Sequence, residues 1–168
     1  MNILEVKKYD VVNGPGIRCS IWIAGCNNYC KDCWSSHTWN PNNGKPYKEC
    51  VTLIKEAINN SKIDGISILG GDPFYSLFNG TLKDKEELKD LLRICSIKPL
   101  WVWTGYKYED LCKDYSDYLS YIDVLIDGPF ISKEKDLNLY YRGSSNQRII
   151  NVSQSLKENK VIEWNEKM

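Results

Sequence analysis

The chain has 168 residues, 42% of them hydrophobic, which is enough to bury the core of one domain. Its 22 basic and 22 acidic side chains balance, so no long-range field draws it to a nucleic acid or an anionic membrane. The N-terminal segment is charged where a secretory signal would be apolar, and no later run is apolar enough to span a bilayer. We therefore expect a single cytoplasmic domain over residues 1–168, with neither nucleic acid nor membrane as a partner.

The first predicted strand lies immediately before a cluster of cysteines. Ile17, Cys19, Ile21 and Ile23 alternate with other side chains, and this period of two indicates a strand that ends at Gly25. A helix is predicted next, because apolar residues recur at helical spacing between residues 50 and 58. The predicted order so far is strand, cysteine cluster, helix.

Strand and helix patterns continue to alternate along the chain. Residues 66–69 form a short apolar run closed by two glycines, and an apolar helical stripe follows over residues 88–95. The remaining predicted elements are a strand at 100–103, a weak helix around 111–112, a strand at 122–126 and weak strand signals at 147–152 and 161–164.

This alternation predicts an α/β fold in which helical crossovers join parallel strands with right-handed connections. A closed eight-stranded barrel needs roughly 250 residues, more than this chain has. We therefore expect a partial, open (β/α) barrel with a mostly parallel sheet of about five or six strands.

Groups suited to a binding site follow four of the predicted strands. They are the cysteine cluster, Gly70-Gly71-Asp72-Pro73, Thr104-Gly105 and Asp127-Gly128-Pro129. Ligands of parallel α/β folds bind at the carboxyl ends of the strands. These segments are therefore expected to converge on one site.

Cys26, Cys30 and Cys33 place three of the seven cysteines within eight residues, a density that favours metal ligation over disulfide bonds. Three cysteines around a cluster of four irons leave one iron free to bind a substrate. A structural zinc site is the alternative, because His37 would complete a Cys₃His set. The cysteines alone leave both interpretations open.

Gly70 and Gly71 end a predicted strand, where the absence of side chains lets a ligand approach the backbone. The carboxylate of Asp72 suits the ammonium group of a ligand. An ordinary turn is the alternative interpretation of this segment.

The Cys-x3-Cys-x2-Cys spacing, followed by Trp34, resembles the cluster motif of the radical S-adenosylmethionine (SAM) superfamily. Gly-Gly-Asp-Pro is similar to the Gly-Gly-Glu-Pro segment that holds the SAM amine in that superfamily. The resemblance implies a 4Fe–4S cluster on Cys26, Cys30 and Cys33, and reductive cleavage of SAM to a 5′-deoxyadenosyl radical. The chemistry is then carried by cluster and SAM rather than by a catalytic side chain. The expected cofactor-binding residues are Asp32, Cys33, Trp34, Gly70, Gly71, Asp72, Thr104 and Asp127.

Further segments occur in the order seen in one family of that superfamily. They are Gly-Pro-Gly-Ile-Arg from residue 14, Trp103-Thr104-Gly105-Tyr106, Asp127-Gly128-Pro129-Phe130 and Arg142-Gly143-Ser144-Ser145-Asn146-Gln147. Together with the cysteine motif they resemble the activating proteins of anaerobic ribonucleoside-triphosphate reductase. This implies an enzyme that generates a glycyl radical on the large reductase subunit and takes electrons from a reductant such as flavodoxin. The alternatives are a small radical SAM enzyme acting on a nucleoside-like molecule and a non-catalytic Cys₃His zinc module.

Overall fold

Seven strands form one sheet in the computed structural model, which describes residues 1–165 of the chain. They are β1 (Asn2–Asp10), β2 (Arg18–Ile23), β3 (Lys45–Pro46), β4 (Gly65–Gly70), β5 (Leu100–Trp103), β6 (Val124–Asp127) and β7 (Arg148–Asn151). Their order across the sheet is β3-β1-β2-β4-β5-β6-β7. The sheet is open, with β3 and β7 at its edges.

The predicted α/β class is confirmed. The prediction of a mostly parallel sheet of five or six strands is not, because the sheet is mixed and has seven strands. β2, β4, β5 and β6 pair in parallel. β1, β3 and β7 are added by antiparallel pairing. β1 was not predicted, because its exposed Glu5, Lys7 and Lys8 hide any apolar alternation. Curvature of the sheet into a partial barrel stays a prediction.

The helices over the described range are α1 (Tyr47–Ile58), α2 (Tyr75–Asn79), α3 (Leu82–Cys95), α4 (Tyr108–Leu119) and α5 (Val152–Glu158). The three predicted helices are confirmed as α1, α3 and α4. α2 and α5 were not predicted, because they are too short for a helical period to be recognised in their sequence. The weak strand signal at 161–164 corresponds only to an isolated bridge between Glu163 and Ile150. Within residues 1–165 no helix has the length and apolar character that a bilayer crossing requires.

The two faces of the sheet bury different side chains, because successive residues of a strand point to opposite sides. Ile21, Ile68 and Val102 belong to the larger core, which also contains the apolar stripes of α1 and α3. Cys19, Cys50 and Cys95 are buried in this core, as predicted from their apolar patterns. Trp101, Val124 and Ile126 form a second cluster with the partly buried Trp103 and Tyr141. The second cluster adjoins the candidate site.

Arg18 is a buried cation, 1% exposed, at the start of β2. Its guanidinium donates to Ser67 Oγ at 2.6 Å and to the carbonyl oxygens of Ile66 at 2.6 Å and Pro99 at 2.8 Å. It also lies 5.4 Å from the ring centre of Trp101. Burial lowers the pKa of Arg18 to about 10, so it remains charged at neutral pH. One side chain therefore joins the amino ends of β2, β4 and β5.

We predict that Arg18→Met lowers the free energy of unfolding by roughly 3 kcal/mol, because buried carbonyl groups lose their donor. Urea denaturation of the purified protein measures this change. Arg93→Met is the matched control, since the Arg93 side chain is 62% exposed in its pair with Asp90. The control should lose less than about 1 kcal/mol. Equal losses in the two variants would contradict the role given to Arg18.

Candidate functional site

The cysteine loop leaves the carboxyl end of β2 through Gly25, whose φ is +102°. A Cβ at Gly25 would lie 2.7 Å from Cδ1 of Tyr75, so both the conformation and the space require glycine. The backbone N–H of Gly25 donates to the carbonyl of Thr38 at 2.8 Å, and that of Cys26 donates to Trp39 at 3.1 Å. The segment that follows the cysteines is thereby tied back to the strand end.

A cavity of about 480 Å³ lies at the carboxyl ends of the parallel strands, and the side chains of Cys26, Cys30 and Cys33 all line it. Other predicted site residues in its wall are Asp32, Trp34, Gly70, Gly71 and Thr104. Apolar wall is supplied by Trp22, Leu69, Trp103 and Tyr141. The structure thus brings together segments that are far apart in the chain.

Burial raises the pKa of the Cys26 and Cys30 thiols above the ordinary value. Nearby negative charge acts in the same direction, from Asp72 at both thiols and from Cys33 at Cys30. The free thiols of Cys26 and Cys30 therefore hold their protons at neutral pH. Because metal centres are ligated by thiolates, loading of this site would release protons.

The three cysteines line one cavity, whereas the histidine that a Cys₃His zinc site needs does not lie in it. His37 is exposed in a short 3₁₀ turn, and the lining of the cysteine cavity does not include it. In an iron–sulfur cluster each cysteine ligates a different iron, so the sulfurs need to share a cavity rather than one coordination sphere.

Gly70 and Gly71 allow the ends of β2 and β4 to approach closely. A Cβ at Gly70 would lie 2.5 Å from the backbone N and O of Ile23, and one at Gly71 would lie 2.3 Å from the Gly25 carbonyl oxygen. The Gly71 N–H donates to Ile23 at 2.8 Å. Contact between two strand ends therefore explains the glycines in the structure, whereas the sequence suggests the approach of a ligand or an ordinary turn.

Asp72 is 1% exposed and lies behind the wall of the cavity rather than in its lining. Its carboxylate accepts from the Phe74 N–H at 3.0 Å, Thr104 Oγ1 at 2.9 Å, the Gly105 N–H at 2.8 Å and Asn28 Nδ2 at 2.9 Å. Burial raises the pKa of Asp72 to about 6, and these donors oppose the rise. The carboxylate is already fully engaged, and its contact with a SAM amine stays a prediction.

Asp127 is not in the cysteine cavity but lines a neighbouring one of about 650 Å³. Its buried carboxylate accepts from the Tyr108 N–H at 2.8 Å and from Arg148, whose Nε lies 3.0 Å away. Arg148 also binds both oxygens of Glu109 at 2.8 Å and holds the pKa of that carboxyl down at about 2. Asp127 thus joins the end of β6 to α4 and β7, and its contact with SAM also stays a prediction.

Sequence reasoning missed the residues that hold the cavity wall in place. Asn28 contacts Cys26 and Asp72, and Tyr106 Oη donates to Asn27 Oδ1 at 2.9 Å. Gln147 Nε2 donates to the Gly128 carbonyl at 3.0 Å, which fixes a turn that also lines the cavity. The signal for Asn28 was its place between two cysteines, but its second partner, Asp72, is distant in sequence.

Comparison with known proteins indicates an iron–sulfur cluster domain. A family model described as a 4Fe-4S single cluster domain matches residues 12–150. A Haemophilus influenzae protein named anaerobic ribonucleoside-triphosphate reductase-activating protein is 38% identical over 154 residues, covering 89% of this chain and 97% of that protein. Proteins of the same name from Escherichia coli K12 and Enterobacteria phage T4 are 36% and 34% identical, over 88% and 89% of this chain and 96% and 93% of their own.

We predict that Gly71→Ala destabilises the protein by roughly 2 kcal/mol, because the new Cβ forces the ends of β2 and β4 apart. The free energy of unfolding in urea measures the loss. Gly143→Ala is the control, since its Cβ would meet side chains rather than backbone, the ring edge of Phe130 at 3.1 Å and Gln147 Oε1 at 3.7 Å. The control should lose less than about 1 kcal/mol. A Gly71→Ala protein as stable as the control would refute the close-packing explanation.

Proposed function

Since the chain belongs to the family of anaerobic ribonucleoside-triphosphate reductase-activating proteins, we propose that it is a radical SAM activase that generates a glycyl radical on such a reductase. One observation carries the proposal. Cys26, Cys30 and Cys33 line a single cavity at the carboxyl ends of parallel strands, together with Gly70, Gly71 and Thr104. This is where α/β folds bind their ligands.

Cys26, Cys30 and Cys33 are the residues that would hold a 4Fe–4S cluster, leaving one iron for SAM. A cluster held there would supply the one electron that cleaves SAM reductively to methionine and a 5′-deoxyadenosyl radical, and that radical would take a hydrogen atom from a glycine of the reductase. The chain itself binds, orients and shields these groups.

The cavity wall suits a reactive species that must be kept from water. Trp22, Leu69, Trp103 and Tyr141 contribute apolar surface to the lining of the cavity. Thr104 and the backbone of Gly70 and Gly71 supply polar groups in the same wall. Apolar walls with a few fixed polar groups orient a ligand and limit the solvent that reaches it.

The mouth of the cavity favours a protein substrate over a small nucleoside. Val12, Trp34 and Leu137 line the cavity, yet their side chains are 70%, 90% and 87% exposed. Exposed apolar residues grouped at one opening mark a surface that a protein covers. A glycine-bearing loop of the reductase, with apolar flanks, would cover this rim. The reductant, for which flavodoxin is the proposed class, is not identified by these contacts.

The ligand assignment predicts that Cys26→Ala, Cys30→Ala and Cys33→Ala each lose both the 4Fe–4S cluster and SAM cleavage. Iron and sulfide content after anoxic reconstitution, and 5′-deoxyadenosine formed under reducing conditions, measure the two losses. Cys112→Ala is the control, because Cys112 is half-buried on α4 and is not part of the cavity lining. It should keep both properties. A colourless protein with one zinc per chain would instead establish the zinc module.

The substrate assignment predicts transfer of deuterium from glycine-labelled reductase into 5′-deoxyadenosine. Mass spectrometry of the nucleoside product measures the transfer, and unlabelled reductase is the control. The labelled protein should give a product one mass unit heavier. Product that forms without the label, or that takes its hydrogen from a free nucleoside, would rule out the glycyl-radical activase.

A further inference from the structure

The side-chain amide of Asn28 bridges a proposed cluster ligand and a buried carboxylate. Asn28 Nδ2 donates to Cys26 Sγ at 3.6 Å and to Asp72 Oδ2 at 2.9 Å. An amide nitrogen carries two hydrogens, so both contacts can be made at once. The carboxylate of Asp72 can only accept hydrogen bonds, so it also fixes the orientation of the amide. If the amide oxygen of Asn28 faced Asp72, the two oxygens would repel each other.

The turn after β5 provides the space for this amide. A Cβ at Gly105 would lie 2.3 Å from Asn28 Nδ2 and 2.8 Å from its Cγ, so any larger residue would displace the side chain. The Gly105 N–H donates to the same Asp72 oxygen at 2.8 Å, and Thr104 Oγ1 reaches both carboxylate oxygens, at 2.9 and 3.1 Å. The carboxylate is thus held by the end of β5 and directed at Asn28.

Asn27, the residue before Asn28, is also held by the turn after β5. Tyr106 Oη donates to Asn27 Oδ1 at 2.9 Å, next to Asn28 in the spacer between the first two cysteines. Tyr106 is in turn stacked on Phe78, with ring centres 4.3 Å apart. The start of the cysteine loop is therefore held by side-chain contacts with the turn after β5.

We propose that Asn28 is a positioning residue that donates a hydrogen bond to the Cys26 sulfur when that sulfur ligates the cluster, and that Asp72 and Gly105 hold Asn28 in place. The inference rests on the proposed function, because it requires the cluster. Hydrogen bonds to cluster sulfurs help to set the reduction potential. A donor stabilises the more negative reduced form, so Asn28 makes uptake of one electron from a low-potential donor more favourable. No bond is formed or broken in that step.

The test is the midpoint potential of the reconstituted cluster in wild-type and Asn28→Leu proteins. Electron paramagnetic resonance (EPR) follows a titration with dithionite, the one-electron source. Loss of a hydrogen bond to a charged group should lower the equilibrium constant for reduction of the cluster about tenfold. This corresponds to a shift of about 59 mV to lower potential for one electron. Gly105→Ala should shift the potential in the same direction, because its Cβ displaces the amide.

Asn43→Leu is the matched control, since the side-chain amide of exposed Asn43 donates to the His37 carbonyl at 3.2 Å and Asn43 lies outside the cavity lining. Its potential should equal that of the wild type. An Asn28→Leu protein with full iron content and an unchanged potential would overturn the inference and leave the proposed function intact. A wild-type protein that forms no cluster would overturn both.

A second measurement covers the case in which the variants fail to hold a cluster. Wild-type protein containing asparagine labelled with ¹⁵N at the side-chain amide is reduced and studied by electron–nuclear double resonance. A ¹⁵N coupling to the cluster spin is expected, because the hydrogen bond joins the amide to a ligand sulfur. Reduced cluster without such a coupling would refute the bond.

Discussion

The buried carboxylate of Asp72 is the contact on which the geometry of the site depends. It accepts hydrogen bonds from the start of the cysteine loop at Asn28, from the end of β5 at Thr104 and Gly105, and from its own turn at Phe74. Burying a carboxylate is costly unless donors surround it. Because these donors come from separate parts of the chain, the carboxylate is satisfied only when β4, β5 and the cysteine loop are correctly placed.

Two further constraints bring these parts within reach of Asp72. Gly70 and Gly71, at the end of β4, allow a backbone contact with the end of β2 that any side chain would block. At the opposite end of the sheet, Arg18 joins the beginnings of the same strands through buried hydrogen bonds. The parallel strands are therefore fixed at both ends, and the cavity between their carboxyl ends keeps a defined shape.

Much of this arrangement follows from local pattern in the sequence. Apolar runs predicted β2, β4, β5 and β6, and the spacing of Cys26, Cys30 and Cys33 predicted a metal site that now lies in one cavity. The charged strand β1 was not predicted, because its sequence has no clear apolar period. Its pairing with β2 makes it a strand. The sequence indicates Asp72 and Asp127 as ligand contacts, but the Gly105 and Tyr108 N–H groups that donate to these carboxylates are distant in sequence. Only the fold shows that protein groups already surround them.

If Cys26, Cys30 and Cys33 hold a 4Fe–4S cluster, its remaining iron is free to bind SAM. The decisive measurement is EPR of the anoxically reconstituted and reduced protein, recorded with and without SAM. SAM is expected to change the g-values of the reduced cluster signal, because it becomes a ligand of the open iron. A cluster spectrum identical in the presence and absence of saturating SAM would contradict SAM binding at that iron.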